Sequence, residues 1–544
     1  MVKIPSGEAS RTYPPPHSVK CVDVDSARKG SPVSCQPPAQ STVYSLPGLV
    51  AAVEGQRSGG KTVVQCHGVF DLLHPGHVSH LAEAKAQGDI LVVTITPDRF
   101  VNKGPGRPVF TQEHRTLMLA ALGVVDFVAI TESPTAVEAI ASIRPDIYVK
   151  GPDYADPSED TSGNISIEEA TVVASGGRIH FTRAPTMSSS KIINAHLPSQ
   201  DGSTSDWMHE FRAQHPEADV LGWLEKVANL HVLVIGEAII DEYVRCEALG
   251  KSSKDPVLAF REMSYERQVG GSLAIAGHCA GLGANVTALF RLGNDPADEH
   301  LVLQGLGSGV TPVIMKSRIE PTIIKRRYVD DLTEARVFET YVMHDGKPDE
   351  GDDQAFRAKL NELLESVDLV LVADYGHGLM SEGVVDDLTS SGNLLAVNTQ
   401  SNAGNRGFNT ISRYSRADFV CLNGGEMGLE LRRRHLTMNE LVPQLRERTG
   451  ARRAIVTEGA KGLACCDHDG VVTHVPAFAR LIRDRVGAGD ALFAATSRLS
   501  AVGAPADITG FFGNLAGAAS VAELGNRTHV SAVDLMRHAS ALLK

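Results

Sequence analysis

With 544 residues, the chain is too long for a single ordinary core and calls for two or more domains. Its composition, 42% hydrophobic and 22% charged with 51 glycines, is that of a globular protein, and a formal charge of -13 leaves no general basic face for nucleic acid. A small anionic substrate stays open to it, because a local cluster of donors can hold phosphate within an acidic protein.

The eight cysteines form no CxxC pair and no metal-like ladder, which points to reduced thiols and a cytoplasmic setting. The opening MVKIPSGEAS lacks an apolar h-region and no apolar run approaches the length of a span, so no membrane is expected among the partners.

Residues 1–60 are rich in Pro, Ser and Gly and read as a disordered leader, with VYSLPGLVAAV as a short element that could pack. From Lys61 the pattern changes. KTVVQCHGVF reads as a buried strand, HVSHLAEAKAQG as an amphipathic helix and DILVVTIT as a second buried strand. A Gly/Pro loop at 103–108, the helix TQEHRTLMLAALG, the strand FVAIT, another helix and the strand DIYVKG complete a domain over 61–200. Residues 201–228 turn polar and read as a linker with helix character. A second, longer domain over 229–544 opens with NLHVLVIGEAIID and carries the strands VDLVLVADYGHG, FVCLNGGE and RRAIVTEGAKG. The fold class expected is α/β, two doubly wound parallel-sheet domains with ligands outside the carboxyl ends of the strands.

The first candidate site is GVFDLLHPGH, where His74 and His77 follow a strand and open a helix. Amides at a helix start, and the positive pole there, attract anions; two imidazoles add donors, and Pro75 and Gly76 shape a tight turn. Displacement at a nucleotide α-phosphate suits such a place, since the protein has chiefly to position groups and neutralise charge. A metal pair and ordinary structural histidines are the alternatives; for the metal, no third ligand stands at convincing spacing.

GVFDLLHPGHVSHL resembles the signature of the cytidylyltransferase-type nucleotidyltransferases over residues 63–194. GRPVFTQEHRTLMLAALGVVDFV and RPDIYVKGPDY resemble the adenylyltransferase part of bifunctional heptose kinase/adenylyltransferases. That resemblance implies a Rossmann-like fold, with Phe70 and Asp71 in the signature turn and His74 and His77 holding the triphosphate and its transition state. It implies that Lys103 reaches phosphate from its loop, that Arg115 faces the site from its helix, and that Lys150, Gly151 and Asp153 lie near the nucleotide. Ser188, Ser189 and Ser190, in TMSSSKIIN, become candidate phosphate donors; serines at a helix start are also plain N-caps.

The second candidate site is DRVGAGDALFAA. Gly487, Ala488 and Gly489 make a small-residue turn whose amides can cradle a transferring phosphoryl group, and Asp490 is placed to take a proton from a substrate hydroxyl. Residues 230–540 resemble the ribokinase-like (PfkB) carbohydrate kinases. On that resemblance Asp490 is the catalytic base and Asn423 with Glu426 supports phosphate and, indirectly, Mg²⁺. Asp241, Gly270, Gly271 and Asp374 face the sugar, and Thr457, Glu458 and Gly459 lie along the nucleotide. Three positions depart from the family pattern: Glu237 for an aspartate, Ala274 for an asparagine that binds sugar hydroxyls, and Asn398-Thr399-Gln400 for Asp-Pro-Lys.

Together the resemblances imply a sugar kinase and a sugar-phosphate nucleotidyltransferase in one chain, with domain order reversed relative to the heptose enzymes. The expected product is an NDP-sugar, ADP-heptose or a related ADP-sugar, with pyrophosphate released. ATP is the expected nucleotide with CTP as the alternative, Mg²⁺ the cofactor, a sugar phosphate the partner, and homo-oligomerisation a family expectation. A CTP-dependent polyol-phosphate cytidylyltransferase fused to its kinase, or an active transferase joined to a kinase-like binding module, are the competing readings.

Overall fold

The structure is a computed structural model that describes residues 43–101, 103, 107–154, 164–183, 202–344, 346, 348–433, 435 and 437–544. The expected leader up to residue 42, the serines Ser188, Ser189 and Ser190, and the side chain of Asp153 lie outside what is described.

The first sheet is wholly parallel. It comprises β1 (Val43–Tyr44), β2 (Val63–Gly68), β3 (Ile90–Ile95), β4 (Phe127–Ile130), β5 (Ile147–Lys150) and β6 (Arg178–Phe181), in the order β1-β4-β3-β2-β5-β6. All six residues of β3 are buried, as its unbroken apolar run requires of a strand covered on both faces. The chain winds outward from β2 through β3 and β4, then returns to place β5 on the other flank of β2. The loop after β2 therefore opens at the topological switch point, where doubly wound sheets bind ligands.

Residues 43–57 belong to this sheet and not to a leader. β1 pairs with β4, and the helix Leu46–Arg57 buries Leu49 and Val53. Ser45 caps that helix and Pro47 lies in its first turn, so residues that read as breakers serve as a start signal. The linker reading of 201–228 also gives way. Helices Gly202–Gln214 and Glu217–Val227 send Met208, Phe211, Val220, Leu224 and Val227 into the larger apolar core.

The second sheet has nine strands: β7 (His231–Gly236), β10 (Asn285–Leu292), β11 (Val310–Lys316), β14 (Leu369–Asp374), β15 (Leu394–Thr399), β16 (Phe419–Asn423), β17 (Arg453–Thr457), β18 (Leu463–Cys466) and β19 (Val472–Val475). Their order is β11-β10-β7-β14-β15-β16-β17-β18-β19, with parallel pairing except where β18 runs antiparallel to β17 and β19. The switch point falls between β7 and β14. A separate four-stranded sheet, β13-β12-β8-β9, is built from β8 (Ala238–Lys251), β9 (Leu258–Gly271), β12 (Ile323–Asp330) and β13 (Arg336–Val342). The stretch read as one strand, NLHVLVIGEAIID, breaks at Glu237, and its second half leaves to start β8. Helices Ala488–Ala501 and Ala506–Val521 are buried on nearly every side, as their apolar, small-residue composition demands. Among the described residues, no helix is long and apolar enough to cross a membrane.

Burial holds His67 and His278 neutral, each lowered to about 3 by desolvation and by a neighbouring cation or imidazole. In the unfolded chain both take a proton near pH 6.5, so between roughly 6.5 and 3 the unfolded state binds more protons than the native state. Stability is therefore expected to fall as pH drops through that window; urea midpoints at pH 7.5 and pH 5 check it, the lower value belonging to pH 5.

Candidate active sites

His74 is the N-cap of helix Pro75–Lys85, and its Nδ1 accepts the His77 amide at 3.4 Å. An imidazole that accepts at Nδ1 carries its proton on Nε2, and that nitrogen is buried without a partner among the described residues. The two imidazoles stack with centroids 3.9 Å apart, and His77 Nδ1 is likewise buried and unpartnered. Desolvation, then His74, Lys103 and His80, push the His77 pKa down to about 3, while desolvation and Lys103 lower that of His74. These are neutral donors awaiting an acceptor, not cations. The turn ahead of them is strained: Phe70 and Leu72 adopt left-handed φ of 50° and 52° without being glycine, a cost of about 1–2 kcal/mol each.

The remaining residues of this site divide by what their polar atoms touch. Asp71 is buried, and its carboxylate accepts the Val109 and Phe110 amides at 2.8 and 3.1 Å, so it tethers the loop beyond Lys103 and offers nothing to phosphate. Phe70 lays its ring 5.4 Å from that of His77. Lys103 is exposed, close enough to both imidazoles to depress their pKa values. Arg115 corrects the expectation of a phosphate ligand. It is fully buried and donates to the carbonyls of Phe110, Val69 and Thr96 and to Asp98 Oδ1, at 2.5 to 3.1 Å. A guanidinium so occupied locks strand ends and loops together. Lys150 pairs with buried Glu168 at 2.7 Å, which also accepts from the Tyr148 hydroxyl, while Gly151 beside it has open space.

In the larger domain, Asp490 sits in the first turn of helix Ala488–Ala501, where the dipole favours a negative charge. Tyr375 Oη donates to its Oδ1 at 3.0 Å and Gln400 Nε2 to the same oxygen at 3.3 Å, leaving Oδ2 out of both bonds. Desolvation is the largest influence and carries the pKa up to about 7. Asp241 adds to the rise, and Tyr375, Lys325 and Gln400 oppose it. A carboxyl poised near neutrality is what general-base work at pH 7 asks for. Gly487 has φ 85°, and a Cβ there would lie 2.1 Å from Asn526 Oδ1, so only glycine fits; above Gly489 there is nothing within 4 Å. The turn is thus close-packed behind and open in front. Ala488 lies half-buried between them.

Asp241 is buried in an ion pair with Arg327, and a side chain at Gly270 would lie 2.2 Å from its Oδ2, which explains the glycine. Gly271, at φ 62°, caps helix Ser272–Gly281. Asp374 corrects a second expectation. It has no exposure, and it accepts from the Gly376 amide, Asn409, Arg413 and the Tyr414 hydroxyl at 2.8 to 3.1 Å, fastening the 400–414 loop instead of lining a sugar site. Glu237, not Asp374, holds the strand end nearest it: both its oxygens accept backbone amides, from Tyr375 and His377, at 3.0 Å. Burial, then Asp374, raises its pKa.

Asn423 and Glu426 close a capping box on each other, and Glu426 Oε1 also accepts the Ser401 amide. Each Glu426 oxygen keeps a second lone pair, which suits contact with Mg²⁺ through water better than direct ligation. Among the described residues, no cluster of three His, Cys, Asp or Glu side chains could hold a metal ion alone. At the carboxyl end of β17, Thr457 and Glu458 are half-buried and Gly459 is exposed. Lys325, Tyr375 and Gln400 were not among the ligands expected from sequence. Tyr375 lies in the ADYGHG motif, whereas Lys325 comes from β12, and nothing local in its sequence marks it.

Two doubly wound α/β domains, one with a histidine-capped helix at its switch point and one with an aspartate-bearing glycine turn, define a nucleotidyltransferase-like domain followed by a carbohydrate kinase-like domain. The family model for pfkB family carbohydrate kinases matches residues 229–532, and that for cytidylyltransferase-like proteins matches 66–195. The chain belongs to the pfkB family of carbohydrate kinases. It is similar to the bifunctional protein HldE of Ectopseudomonas mendocina, 44% identical over 114 residues, which cover 21% of this chain and 24% of that one. It is also similar to HldE of Photobacterium profundum, 42% identical over 150 residues, covering 27% and 30%. The chain thus spans less than a third of the length of the curated relatives it matches. Among solved structures, phosphofructokinase-2 of Escherichia coli in its tetrameric inhibited form aligns with a TM-score of 0.47 at 17% identity, over 58% of this chain and 100% of that one. Ribokinase of Thermotoga maritima aligns with a TM-score of 0.45 at 18% identity, over 57% and 99%.

Proposed function

We propose that the chain is a bifunctional enzyme: a sugar kinase, and a nucleotidyltransferase that joins a sugar phosphate to a nucleotide and releases pyrophosphate, the product being ADP-heptose or a related ADP-sugar. The observation that carries the kinase half is Asp490, buried at a helix start beside an open glycine turn with its pKa near neutrality. The transferase half rests on two stacked imidazoles at a helix N-terminus, each with a buried nitrogen that has no partner among the described residues. ATP serves as the nucleotide, and Glu426 would hold Mg²⁺ through water, where the ion would offset the charge on the phosphates.

In the kinase step Asp490 takes the proton of the sugar hydroxyl while the amides of the 487–489 turn stabilise the transferring group. In the transferase step the sugar phosphate attacks the nucleotide α-phosphorus, and His74 and His77 donate to its oxygens. Full-length protein incubated with Mg²⁺, a panel of sugars and sugar phosphates, and ATP or CTP in turn, scored separately for ADP and for pyrophosphate, tests both halves. ADP release with one sugar, and pyrophosphate release with ATP and its sugar phosphate, are expected. Strict dependence of pyrophosphate release on CTP overturns the adenylyl reading, and absence of ADP release with every sugar overturns the kinase reading.

A further inference from the structure

Near Asp490 stands an ammonium, that of Lys325, with no ion pair among the described residues. Lys325 lies on β12, in register with Asp241 on the adjacent parallel strand β8, and two residues before Arg327 on the same face. Arg327 is bound to Asp241 and, at 3.3 Å, to Glu339. Lys325 has no carboxylate at ion-pair distance among the described residues. Its Nζ lies instead 5.3 Å from the ring centroid of Tyr375 and 5.8 Å from that of Tyr341, and Tyr375 is the residue whose hydroxyl binds Asp490. A half-buried ammonium held only by ring faces is under-compensated. A phosphate oxyanion is the ligand that would complete it, and a compact lysine point charge suits that ligand. Gln400, the neutral side chain that contacts Asp490, brings no positive charge of its own.

We infer that Lys325 binds a phosphate oxyanion at Asp490, and that this oxyanion belongs to the phosphoryl group being transferred. The inference rests on the kinase reading above. In the step it serves, the substrate hydroxyl gives its proton to Asp490 and its oxygen bonds to the γ-phosphorus of the nucleoside triphosphate. The bond from that phosphorus to the bridging oxygen breaks, its electron pair leaving on the nucleoside diphosphate. Lys325 is unchanged covalently and offsets the charge that spreads over the transferring oxygens. The charged and titratable groups facing Lys325 and Asp490 are Asp241, Glu237, Arg327, Tyr341, Tyr375 and His377. Among the described residues, Arg327 has two carboxylate partners and Lys325 has none at ion-pair distance.

Lys325→Met in the full chain is expected to lower kcat for ADP release by roughly 10²-fold with an unchanged melting temperature, and Lys325→Arg to recover most of it. The acid limb of kcat/KM should move to higher pH in Lys325→Met, because the cation that favours ionised Asp490 has gone; a merely structural lysine would not move it. If the methionine variant instead raises KM for a phosphorylated sugar alone, the bound oxyanion is the sugar's own phosphate. A variant with wild-type kcat, KM and pH profile overturns the inference. A second measurement is independent of turnover: competitive acetylation of lysines in Asp490→Asn protein, read by peptide mass spectrometry with and without Mg²⁺-ATP. Protection of Lys325 by several-fold is expected, and equal labelling refutes the contact. Should the wild type release no ADP on any sugar, the kinase reading fails, while the labelling still decides what Lys325 binds.

Discussion

Asp490→Asn is expected to lower ADP release by the full-length protein by about 10³-fold, within the range a positioned general base contributes, while leaving pyrophosphate release by the front domain unchanged. The asparagine keeps the side chain's shape and can still meet Tyr375, so the fold should survive; what disappears is the ability to accept a proton. The wild-type pH profile carries the same message from another side. With Asp490 up to about 7 because it is desolvated, kcat/KM for phosphorylation should climb through neutrality as the carboxyl ionises, where an ordinary aspartate would be fully ionised two pH units lower. Tyr375→Phe removes a hydrogen bond that favours the ionised form, and should shift that limb to higher pH without abolishing turnover. An acid limb near pH 4 in the wild type, or unaltered ADP release in Asp490→Asn, would sink the assignment of this residue as the base.

Much of this was open to reading from residues alone, and what was not has definite causes. GVFDLLHPGH announces itself because the strand before it, the proline turn and the helix after it are all local, and VGAGDALFAA because its small-residue turn runs straight into a helix. The polar residues around them are harder. Asp374 and Arg115 stand beside strand ends or site loops, where a ligand-binding side chain would also stand, and their types fit phosphate or sugar chemistry. Only the count of partners separates the two roles: Asp374 has four donors and no exposure, and Arg115 points into carbonyls. The converse holds for Lys325, which approaches Asp490 from β12, far away in sequence, through strand pairing that no local pattern encodes. Boundaries failed for a related reason. Ser45 and Pro47 resemble loop residues until the helix they start is seen to bury Leu49, and polar helices 202–227 hide a single apolar face. The fourteen-residue strands β8 and β9 were masked because a stretch of each, Glu247–Lys251 and Arg261–Tyr265, is exposed on both faces while the other end is buried on both, so no alternation marks them.

His77→Ala should reduce pyrophosphate release by about 10²–10³-fold, the usual loss on deleting one oxyanion donor, with ADP release by the kinase domain intact. The argument turns on the imidazole being neutral. With its pKa near 3 in the free protein, His77 cannot serve as a resident cation at pH 7; it serves as a hydrogen-bond donor held in place by stacking on His74 and by the Phe70 ring. Two consequences separate that role from a charged one. First, kcat/KM for the nucleoside triphosphate, which reports ionisations of the free enzyme, should stay level as pH rises through 6.5, whereas a required imidazolium would make it fall there. Second, His77→Asn, which preserves a donor, should retain more transfer activity than His77→Ala, while His77→Lys, which adds the charge but not the planar donor, should not. A profile that drops above pH 6.5, together with rescue by lysine, would mean that the pocket works through charge and that the His77 ring is protonated in the free enzyme.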